Sequence, residues 1–99
     1  MRFRFKTKKL STLYTEEKGA HKYPREIVES FFDVMAAIHG AKDERDLYAL
    51  KSLRFEKLLG NRKGQRSLRL NDQWRLIVTI EEDDEGAFVQ VVSIERHYE

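Results

Sequence analysis

A chain of 99 residues fits one domain, and a domain of this size buries only about two thirds of the surface that its unfolded chain exposes. We therefore predict a single domain over residues 1–99. Cysteine is absent, which excludes disulfides, thiolate nucleophiles and thiolate metal ligands. The net charge of +2 conceals a segregation, since residues 1–25 and 51–75 each carry eight cations and two anions, whereas residues 76–99 carry one cation and seven anions. This distribution predicts one polyanion-binding surface and one acidic surface.

The N-terminal half predicts one strand followed by helices. Cations and aromatic residues alternate over residues 2–6, the period of a strand with Phe3 and Phe5 facing inward. Apolar residues at helical spacing predict a short helix over residues 8–18, ended by Gly19, and Pro24 suits the first turn of a second helix. The expected core stripe of that helix consists of Ile27, Val28, Phe31, Phe32, Met35 and Ile38. Residues 43–50 predict a third short helix or a turn.

From residue 65 the apolar period changes from helical spacing to two. Apolar runs at residues 68–70, 74–80 and 87–94, separated by polar turns at residues 71–72 and 82–86, predict an antiparallel meander of three strands. The segment Phe3–Phe5 is a candidate fourth strand. The order β-α-α-β-β-β predicts an α+β domain in which an antiparallel sheet packs on the N-terminal helices and leaves its other face free to bind.

No transmembrane, metal or cofactor site is expected. The first residues contain no apolar run long enough for a signal peptide or a membrane span, so we expect a cytoplasmic protein without a membrane partner. The three histidines, His21, His39 and His97, lie far apart and lack the spacing of metal ligands on one helix face. The acidic run at residues 81–85 lacks the ligand pattern of a calcium loop and is interpreted as a solvated turn.

The most informative segment runs from Gly60 to Arg75. Turn formers at both ends frame an alternating run that can present cations on one face of a hairpin, as a phosphate-binding surface requires. A tight turn with exposed cations is the structural alternative for Gly60 to Gly64, which lacks the spacing of a nucleotide-binding P-loop. Together with two cations that precede it, the segment supplies the candidate RNA-binding residues Arg54, Lys57, Arg62, Lys63, Arg66 and Arg69.

Arg75 is the candidate phosphate ligand. If Trp74 packs inward, alternation turns Arg75 outward, where it shares the open surface with Ser67 and Arg69 if the hairpin register permits. An ion pair with the acidic strand region is the alternative. Glu56 is either a base or a surface salt-bridge partner, and the second interpretation is favoured.

RNA cleavage without a metal requires little machinery. The 2′-OH attacks the adjacent phosphate, the 5′-oxygen leaves, and fixed cations stabilise the extra charge, each such donor contributing ~3–4 kcal/mol. Proton transfer by a positioned acid or base adds ~10²–10⁴-fold. The chain has many cations and few proton shuttles, so a nuclease built from it is expected to need an external scaffold that aligns its substrate.

The segment 60–75, GNRKGQRSLRLNDQWR, resembles the core motif of HigB-type toxins, members of the RelE/ParE superfamily of toxin–antitoxin systems. The resemblance covers most of the chain, from residues 43–47 through 53–58 to the C-terminal strand. It implies a RelE-like fold, cleavage of mRNA in the ribosomal A site and inhibition of translation. It further implies a helix-turn-helix antitoxin of the HigA type as partner, with operator DNA bound only together with that antitoxin.

The same resemblance implies a catalytic set. The arginine of the N-D-Q-W-R segment, which contacts the scissile phosphate in the family, is Arg75 here. Family toxins often end in D-Y-H, and residues 93–97 align with I-V-D-Y-H, so that Glu95 keeps the carboxylate, Arg96 replaces the tyrosine and His97 keeps the imidazole. Tyr98 is a neighbouring substitute for the missing tyrosine. The implied catalytic residues are Arg75, Glu95, His97 and Tyr98, while Arg66 occupies a position that is commonly aromatic.

Two rival functions remain open at this point. A ParE-like toxin inhibits DNA gyrase by binding and is not a nuclease, and the N-D-Q-W-R motif and His97 argue against it. A noncatalytic module that binds RNA or operator DNA needs only the charge segregation.

Overall fold

The computed structural model describes residues 1–62 and 64–96. Along the chain it contains β1 (Phe3–Phe5), α1 (Lys8–Glu16), α2 (Arg25–Gly40), α3 (Glu44–Ala49), β2 (Glu56–Lys57), β3 (Gln65–Arg69), β4 (Trp74–Asp83) and β5 (Gly86–Arg96). Short 3-10 helices occur at Ala20–Lys22, Lys51–Leu53 and Gly60–Arg62. Three predicted site residues, Lys63, His97 and Tyr98, lie outside the described residues.

The sheet has five strands in the order β1-β5-β4-β3-β2. The predicted α+β class is confirmed, and β3, β4 and β5 form the predicted antiparallel meander. The sheet is nevertheless mixed, because β1 lies parallel to β5, with Phe3 opposite Val89. A parallel neighbour requires a crossover connection, which the helices after β1 supply as part of the long return to β5. The two-residue strand β2, which sequence periodicity did not predict, extends the other edge.

The helices cover one face of the sheet. Helix α1 begins after Thr7, whose side chain accepts a hydrogen bond from the Leu10 N–H, and ends two residues earlier than predicted because Glu17 adopts a left-handed conformation (φ 54°). Pro24 precedes α2 as its cap instead of lying in its first turn, and Gly40 is its last residue. Leu10, Leu13 and the buried α2 side chains Ile27, Phe31, Val34, Met35 and Ile38 pack against the inner face of the sheet.

A β-bulge in β5 changes which side chains face the helices. Ile77 lies opposite Ser93, whereas Val78 lies opposite Val91, so Val92 is an extra residue in the strand. Val89 and Val91 are buried in the core before the bulge, and Ile94 packs against the core after it. Ser93 and Glu95 consequently face the open side of the sheet, beside β4 residues of the candidate site.

None of the helices within residues 1–62 and 64–96 has the length and hydrophobicity needed to cross a membrane.

Candidate phosphate-binding site

The register of β3 and β4 places three side chains of the basic segment, Ser67, Arg69 and Arg75, on the open face. Arg69 lies opposite Arg75, and Ser67 lies opposite Ile77. On the other side of β4, Arg75 lies opposite Glu95. Because directly opposite residues in a sheet share a face, the register satisfies the condition under which Ser67, Arg69 and Arg75 point to one surface.

The Asn71 side chain fixes the turn that leads into Arg75. Its Oδ1 accepts hydrogen bonds from the backbone N–H groups of Gln73 (2.8 Å) and Trp74 (2.9 Å). Trp74 then packs edge-on against Tyr23, with ring centroids 5.9 Å apart, which directs the next side chain, Arg75, to the opposite face. The N-D-Q-W-R motif therefore has a local physical role, because it builds the turn and anchors the strand that presents Arg75.

A concave cavity of about 400 Å³ opens on this face. Its apolar lining includes Ile77, which is buried, and Leu59, which is 87% exposed. Its polar and charged lining consists of Glu56, Arg62, Ser67, Arg75, Glu95 and Arg96. A larger concavity of about 470 Å³ lies beside α2, lined by residues such as Tyr23, Val28 and Phe32, and contains none of the predicted site residues.

Among the described residues that line this cavity, only Arg75 has a buried side-chain donor without a hydrogen-bond partner. Its Nη1 is buried and has no hydrogen-bond acceptor there, and Arg75 forms no ion pair with any residue in 1–62 or 64–96. The alternative interpretation, an ion pair with the acidic strand region, is therefore not what the structure shows. A buried donor without a partner costs about 1–3 kcal/mol, more when it is charged, and an incoming phosphate oxygen can remove that cost.

Glu95 lies opposite Arg75 but binds Arg62. Both Nη atoms of Arg62 donate to the Glu95 carboxylate at 2.7 Å, and the Ser93 hydroxyl donates to the same carboxylate at 2.5 Å. The hydrogen bonds and charge of Arg62, with the smaller contribution of Ser93, lower the pKa of Glu95 below its ordinary value. Glu95 is therefore ionised at neutral pH and ties the 3-10 helix Gly60–Arg62 to β5.

A second carboxylate, Asp72, interacts electrostatically with three arginines at the end of the hairpin. Arg69 donates to its Oδ1 at 2.6 Å. The pKa of Asp72 is lowered mainly by this hydrogen bond and charge, and the charges of Arg54 and Arg75 add to the effect. Arg54, Arg69 and Arg75 thus all lie within electrostatic range of Asp72, whose negative charge favours the presence of three cations at this end of the hairpin.

Arg66 lies on the opposite side of the sheet from these residues. Its Nη1 is 2.6 Å from Glu44 Oε2 on α3, at ion-pair distance but without hydrogen-bond geometry. Its guanidinium lies 5.7 Å from the ring centroid of Phe55, and only 18% of its side chain is exposed. Lys57 is opposite Arg66 in the register and lies away from the cavity. Strand alternation, which directs Ser67 to the open face, directs Arg66 inward, so the structure does not group Arg66 with the other candidate RNA ligands.

Sequence reasoning missed the apolar lining and the place of Arg96. Arg96 lines the cavity and donates to the Gln73 side chain at 3.4 Å, whereas in the sequence it was noted only as the replacement of a family tyrosine. The apolar lining could have been predicted from the adjacent residues Leu58 and Leu59, which lie directly before the basic turn. In the part of the chain that the structure describes, no group of three His, Asp or Glu side chains is arranged to hold a metal ion.

Comparisons with known proteins agree with the sequence motif. Residues 3–92 match the family model described as the RelE-like toxin of the type II toxin–antitoxin system HigB. Toxin HigB-1 of Vibrio cholerae serotype O1 is 38% identical over 77 residues, which cover 78% of this chain and 81% of that protein. Two solved structures share the fold.

The first of these structures is a YoeB/ParE toxin from Agrobacterium tumefaciens, with a TM-score of 0.58, 17% identity, and coverage of 99% of this chain and 100% of that one. The second is a YoeB-YefM complex from Staphylococcus aureus, with a TM-score of 0.57, 22% identity, and coverage of 99% and 98%. At these identities the structures support the RelE-like fold alone. The family match and the Vibrio relative together show that the chain belongs to the HigB-like toxins, the RelE-family toxins of type II toxin–antitoxin systems.

Proposed function

We propose that this toxin is a metal-independent endoribonuclease that cleaves mRNA on the ribosome and thereby inhibits translation. The observation that carries the proposal is the buried Arg75 Nη1, which lacks an acceptor within the described residues and belongs to a cavity lined by further cations. Membership of a RelE-like toxin family supports RNA as the substrate. A guanidinium that forms no ion pair is preorganised for a phosphate, because no existing pair has to be broken first.

The cations have separate roles in this proposal. Arg75 binds the scissile phosphate and stabilises the charge that develops as the 2′-oxygen attacks, an effect of ~3–4 kcal/mol for one preorganised donor. Arg96 and Arg54, at the cavity and at the Asp72 cluster, bind flanking phosphates. Arg62 is engaged by Glu95 and acts by holding the basic turn in place. Glu95 is accordingly a positioning residue that works through Arg62.

Proton transfer requires two further groups. Glu56 lines the cavity and has no ion pair within the described chain, so its carboxylate is available to take the proton of the attacking 2′-OH. His97, which follows the cavity residue Arg96 in the sequence, is the candidate donor to the leaving 5′-oxygen, and Tyr98 is the neighbouring alternative. The reaction leaves a 2′,3′-cyclic phosphate on one fragment and a 5′-hydroxyl on the other.

The ribosome and the antitoxin complete the proposal. An open cavity with few proton shuttles aligns a flexible RNA poorly, so we expect the ribosome to supply the in-line geometry that this chain does not impose. A type II toxin has an antitoxin partner, and the resemblance of the basic segment to HigB supports a helix-turn-helix protein in that role. Operator DNA would be bound only by the complex of the two proteins.

The test is single-turnover cleavage of a defined mRNA on purified ribosomes, with cut sites mapped at single-nucleotide resolution. Arg75→Ala should lower the rate by about 10²-fold or more. Arg25→Ala is the matched control, because Arg25 is 95% exposed on α2 and lies away from the cavity. A folded Arg75→Ala toxin that cleaves at the wild-type rate would remove Arg75 from the mechanism.

The same assay separates the rival functions. A gyrase inhibitor or a noncatalytic binding module leaves the mRNA intact at every toxin concentration. Equal cleavage of naked and ribosome-bound mRNA would contradict the need for a scaffold. Residual cleavage of naked RNA at high toxin concentration should persist in EDTA, and its abolition would contradict the metal-independent mechanism.

A further inference from the structure

Leu59 is the most exposed large hydrophobic residue in the part of the chain that the structure describes. It is 87% exposed, whereas the other two exposed residues of this kind, Tyr48 and Leu50, are 45% and 46% exposed. Tyr48 in addition packs against Phe55, with ring centroids 4.7 Å apart. Single exposed leucines are common on protein surfaces. Leu59 differs from them by its location, because it lines the cavity that contains Arg75.

Hydrogen bonds hold the segment that carries Leu59 in one position. The N–H of Leu58 donates to the Gln65 carbonyl on β3 at 2.9 Å, which fixes the segment before Leu59. The N–H of Arg62 donates to the Leu59 carbonyl at 3.4 Å. The guanidinium of Arg62 donates to the side chains of Gln65 at 2.9 Å and Glu95 at 2.7 Å, which fixes the segment after Leu59. A ligand that packs on Leu59 therefore meets a preorganised surface and loses little affinity to ordering of the protein.

Leu59 belongs to a group of three apolar side chains inside a cavity whose other lining is polar or charged. We call Leu58, Leu59 and Ile77 the apolar spot. Ile77 is buried and Leu58 is half-buried, so Leu59 supplies most of the accessible apolar surface. Arg75 and Ile77 lie on the same face of β4, about 6.6 Å apart along the strand because each residue advances about 3.3 Å. The buried Arg75 donor and the apolar spot are thus separated by about the distance between the phosphate and the base of one nucleotide.

We propose that the apolar spot is a nucleobase subsite, in which Leu59 packs on the face of one of the two bases that flank the phosphate bound by Arg75. A base has apolar faces and polar edges, so it fits an apolar surface that is surrounded by polar side chains. Glu56 and Arg96 supply such polar side chains in the same cavity. Every base has an apolar face, so the subsite tolerates different bases and favours purines, which have the larger face. The inference rests on the proposed function for the choice of RNA as the ligand.

A second copy of the chain is the less favoured occupant of the apolar spot. A stable protein interface buries about 800 Å² on each partner and is centred on several large side chains. The other exposed hydrophobic residues of the described chain, Tyr48 and Leu50, do not line the cavity. An apolar protein surface placed here would also leave the Arg75 donor without an acceptor, whereas a nucleotide supplies a phosphate and a base together.

The experiment measures binding of the toxin to single-stranded 2′-O-methyl RNA, which lacks the attacking hydroxyl and is not cleaved. Two oligonucleotides of equal length are compared, one with all its bases and one that is abasic at every position and keeps the sugar–phosphate backbone. Leu59→Ala should weaken binding of the complete oligonucleotide by about tenfold, the size expected for one base contact, and should not change binding of the abasic one. Leu50→Ala is the matched control, because it truncates the same side chain at an exposed position outside the cavity, and it should bind both oligonucleotides like wild type.

Two further variants show whether the effect comes from the apolar surface of the side chain. Leu59→Phe should bind the complete oligonucleotide at least as tightly as wild type, because an aromatic ring stacks on a base, whereas Leu59→Ser should bind it like Leu59→Ala. The slope of log K against log salt should be the same in all three Leu59 variants, because no phosphate contact is lost. The thermal midpoint of Leu59→Ala should match that of wild type, since a side chain that is 87% exposed contributes little to stability.

Three binding results would overturn the inference. An equal loss of affinity for the complete and the abasic oligonucleotide would show that Leu59 does not contact a base. An equal loss of affinity in Leu59→Ala and Leu50→Ala would reduce the effect to surface hydrophobicity in general. Self-association of the toxin in analytical ultracentrifugation, lost in Leu59→Ala without an effect on RNA binding, would assign the apolar spot to a second copy of the chain.

Cleavage of ordinary mRNA on ribosomes tests the proposed function separately. If base-dependent binding requires Leu59 but the wild-type toxin cuts no mRNA, the proposed function fails and the nucleobase subsite stands. If the wild-type toxin cuts mRNA in a reaction that requires Arg75, but Leu59→Ala binds both oligonucleotides like wild type, the subsite fails and the proposed function stands.

Discussion

The ion pair between Arg62 and Glu95 offers a direct test of whether Glu95 acts through proton transfer or through position. Glu95→Gln preserves the size of the side chain and removes its charge. The pair is bidentate at 2.7 Å, but its side chains are 42% and 37% exposed, so solvent screens it and its contribution to the free energy of unfolding is about 0.2–1 kcal/mol. For a domain of this length, a loss of ~1 kcal/mol lowers Tm by about 4–8 °C. We therefore expect Glu95→Gln to melt no more than about 8 °C below wild type.

Glu95→Gln should have small and opposite effects on RNA affinity and on the cleavage rate. Removing the carboxylate frees Arg62 for phosphate, so RNA affinity should rise and the salt slope should steepen by about 0.7. The saturated single-turnover rate should fall by less than about tenfold, because an ionised carboxylate that already accepts three hydrogen bonds is a weak base. The assays are urea unfolding, thermal melting and ribosome-bound mRNA cleavage on one preparation. A rate loss of 10²-fold or more at unchanged stability would refute this reasoning and make Glu95 a proton-transfer residue.

The charge-swapped protein Arg62→Glu/Glu95→Arg provides the control for the pair itself. A double-mutant cycle with Arg62→Ala and Glu95→Ala should give a coupling free energy of about 0.2–1 kcal/mol. A coupling of zero would mean that the tether does not form in solution. Partial recovery of stability in the swapped protein, without recovery of RNA affinity, is the expected result because the new glutamate repels phosphate.

Three further predictions concern acid stability, Arg66 and His97. The hydrogen bonds of Arg2 lower the pKa of Asp83 from its ordinary 3.8 to about 2, so the stabilisation of the folded protein by this pair is complete above pH 4 and is lost as the pH falls toward 2. The free energy of unfolding of Asp83→Asn, measured in urea, should therefore decrease less steeply with falling pH than that of wild type. Identical pH slopes would contradict the pairing. Arg66→Ala should lower the free energy of unfolding by about 1–3 kcal/mol, because Glu44 loses its ion-pair partner, and should leave the cleavage rate per folded molecule unchanged. A loss of cleavage rate without a loss of stability would show that Arg66 binds RNA. His97→Ala should lower the saturated cleavage rate by about 10²-fold with little change in ribosome affinity, and an unchanged rate would move the proton donor to Tyr98.

The periodicity of apolar residues was sufficient to predict the helices and strands that bury one continuous face. The α2 stripe predicted Ile27, Phe31, Met35 and Ile38 as core, and all four are buried, while Val28 and Phe32 at its margin are only half-buried. The parallel placement of β1 was not predictable in this way, because its partner is β5, more than eighty residues away along the chain. A local pattern of alternation specifies a strand but not its neighbour.

In the candidate site, too, local sequence patterns predicted some features, whereas contacts between residues distant in the sequence determined the others. Alternation after Trp74 predicted that Arg75 would face the open side, and the register of β3 and β4 places it there. The Arg62–Glu95 pair joins residues 33 positions apart, and no local signal indicates it. Arg66 was grouped with its neighbours because of its charge, whereas its place on the inner side of β3 depends on the acidic partner that α3 provides.

The extra residue Val92 gives β5 two halves with opposite parity, which makes the site sensitive to strand register as well as to side-chain chemistry. Deleting Val92 would remove the bulge and leave Ser93 and Glu95 on the open side, because Ser93 would then follow Val91 directly. If β5 instead kept all its residues and paired with β4 without a bulge, regular alternation would turn Ser93 and Glu95 toward the helices and Ile94 toward solvent. Such a change of register alters no functional group, yet it would bury a carboxylate, expose an isoleucine and release Arg62. When a related toxin lacks the extra residue, a gap placed at Val92 therefore keeps the inner and outer faces of the strand's end in correspondence, whereas an alignment without that gap exchanges them.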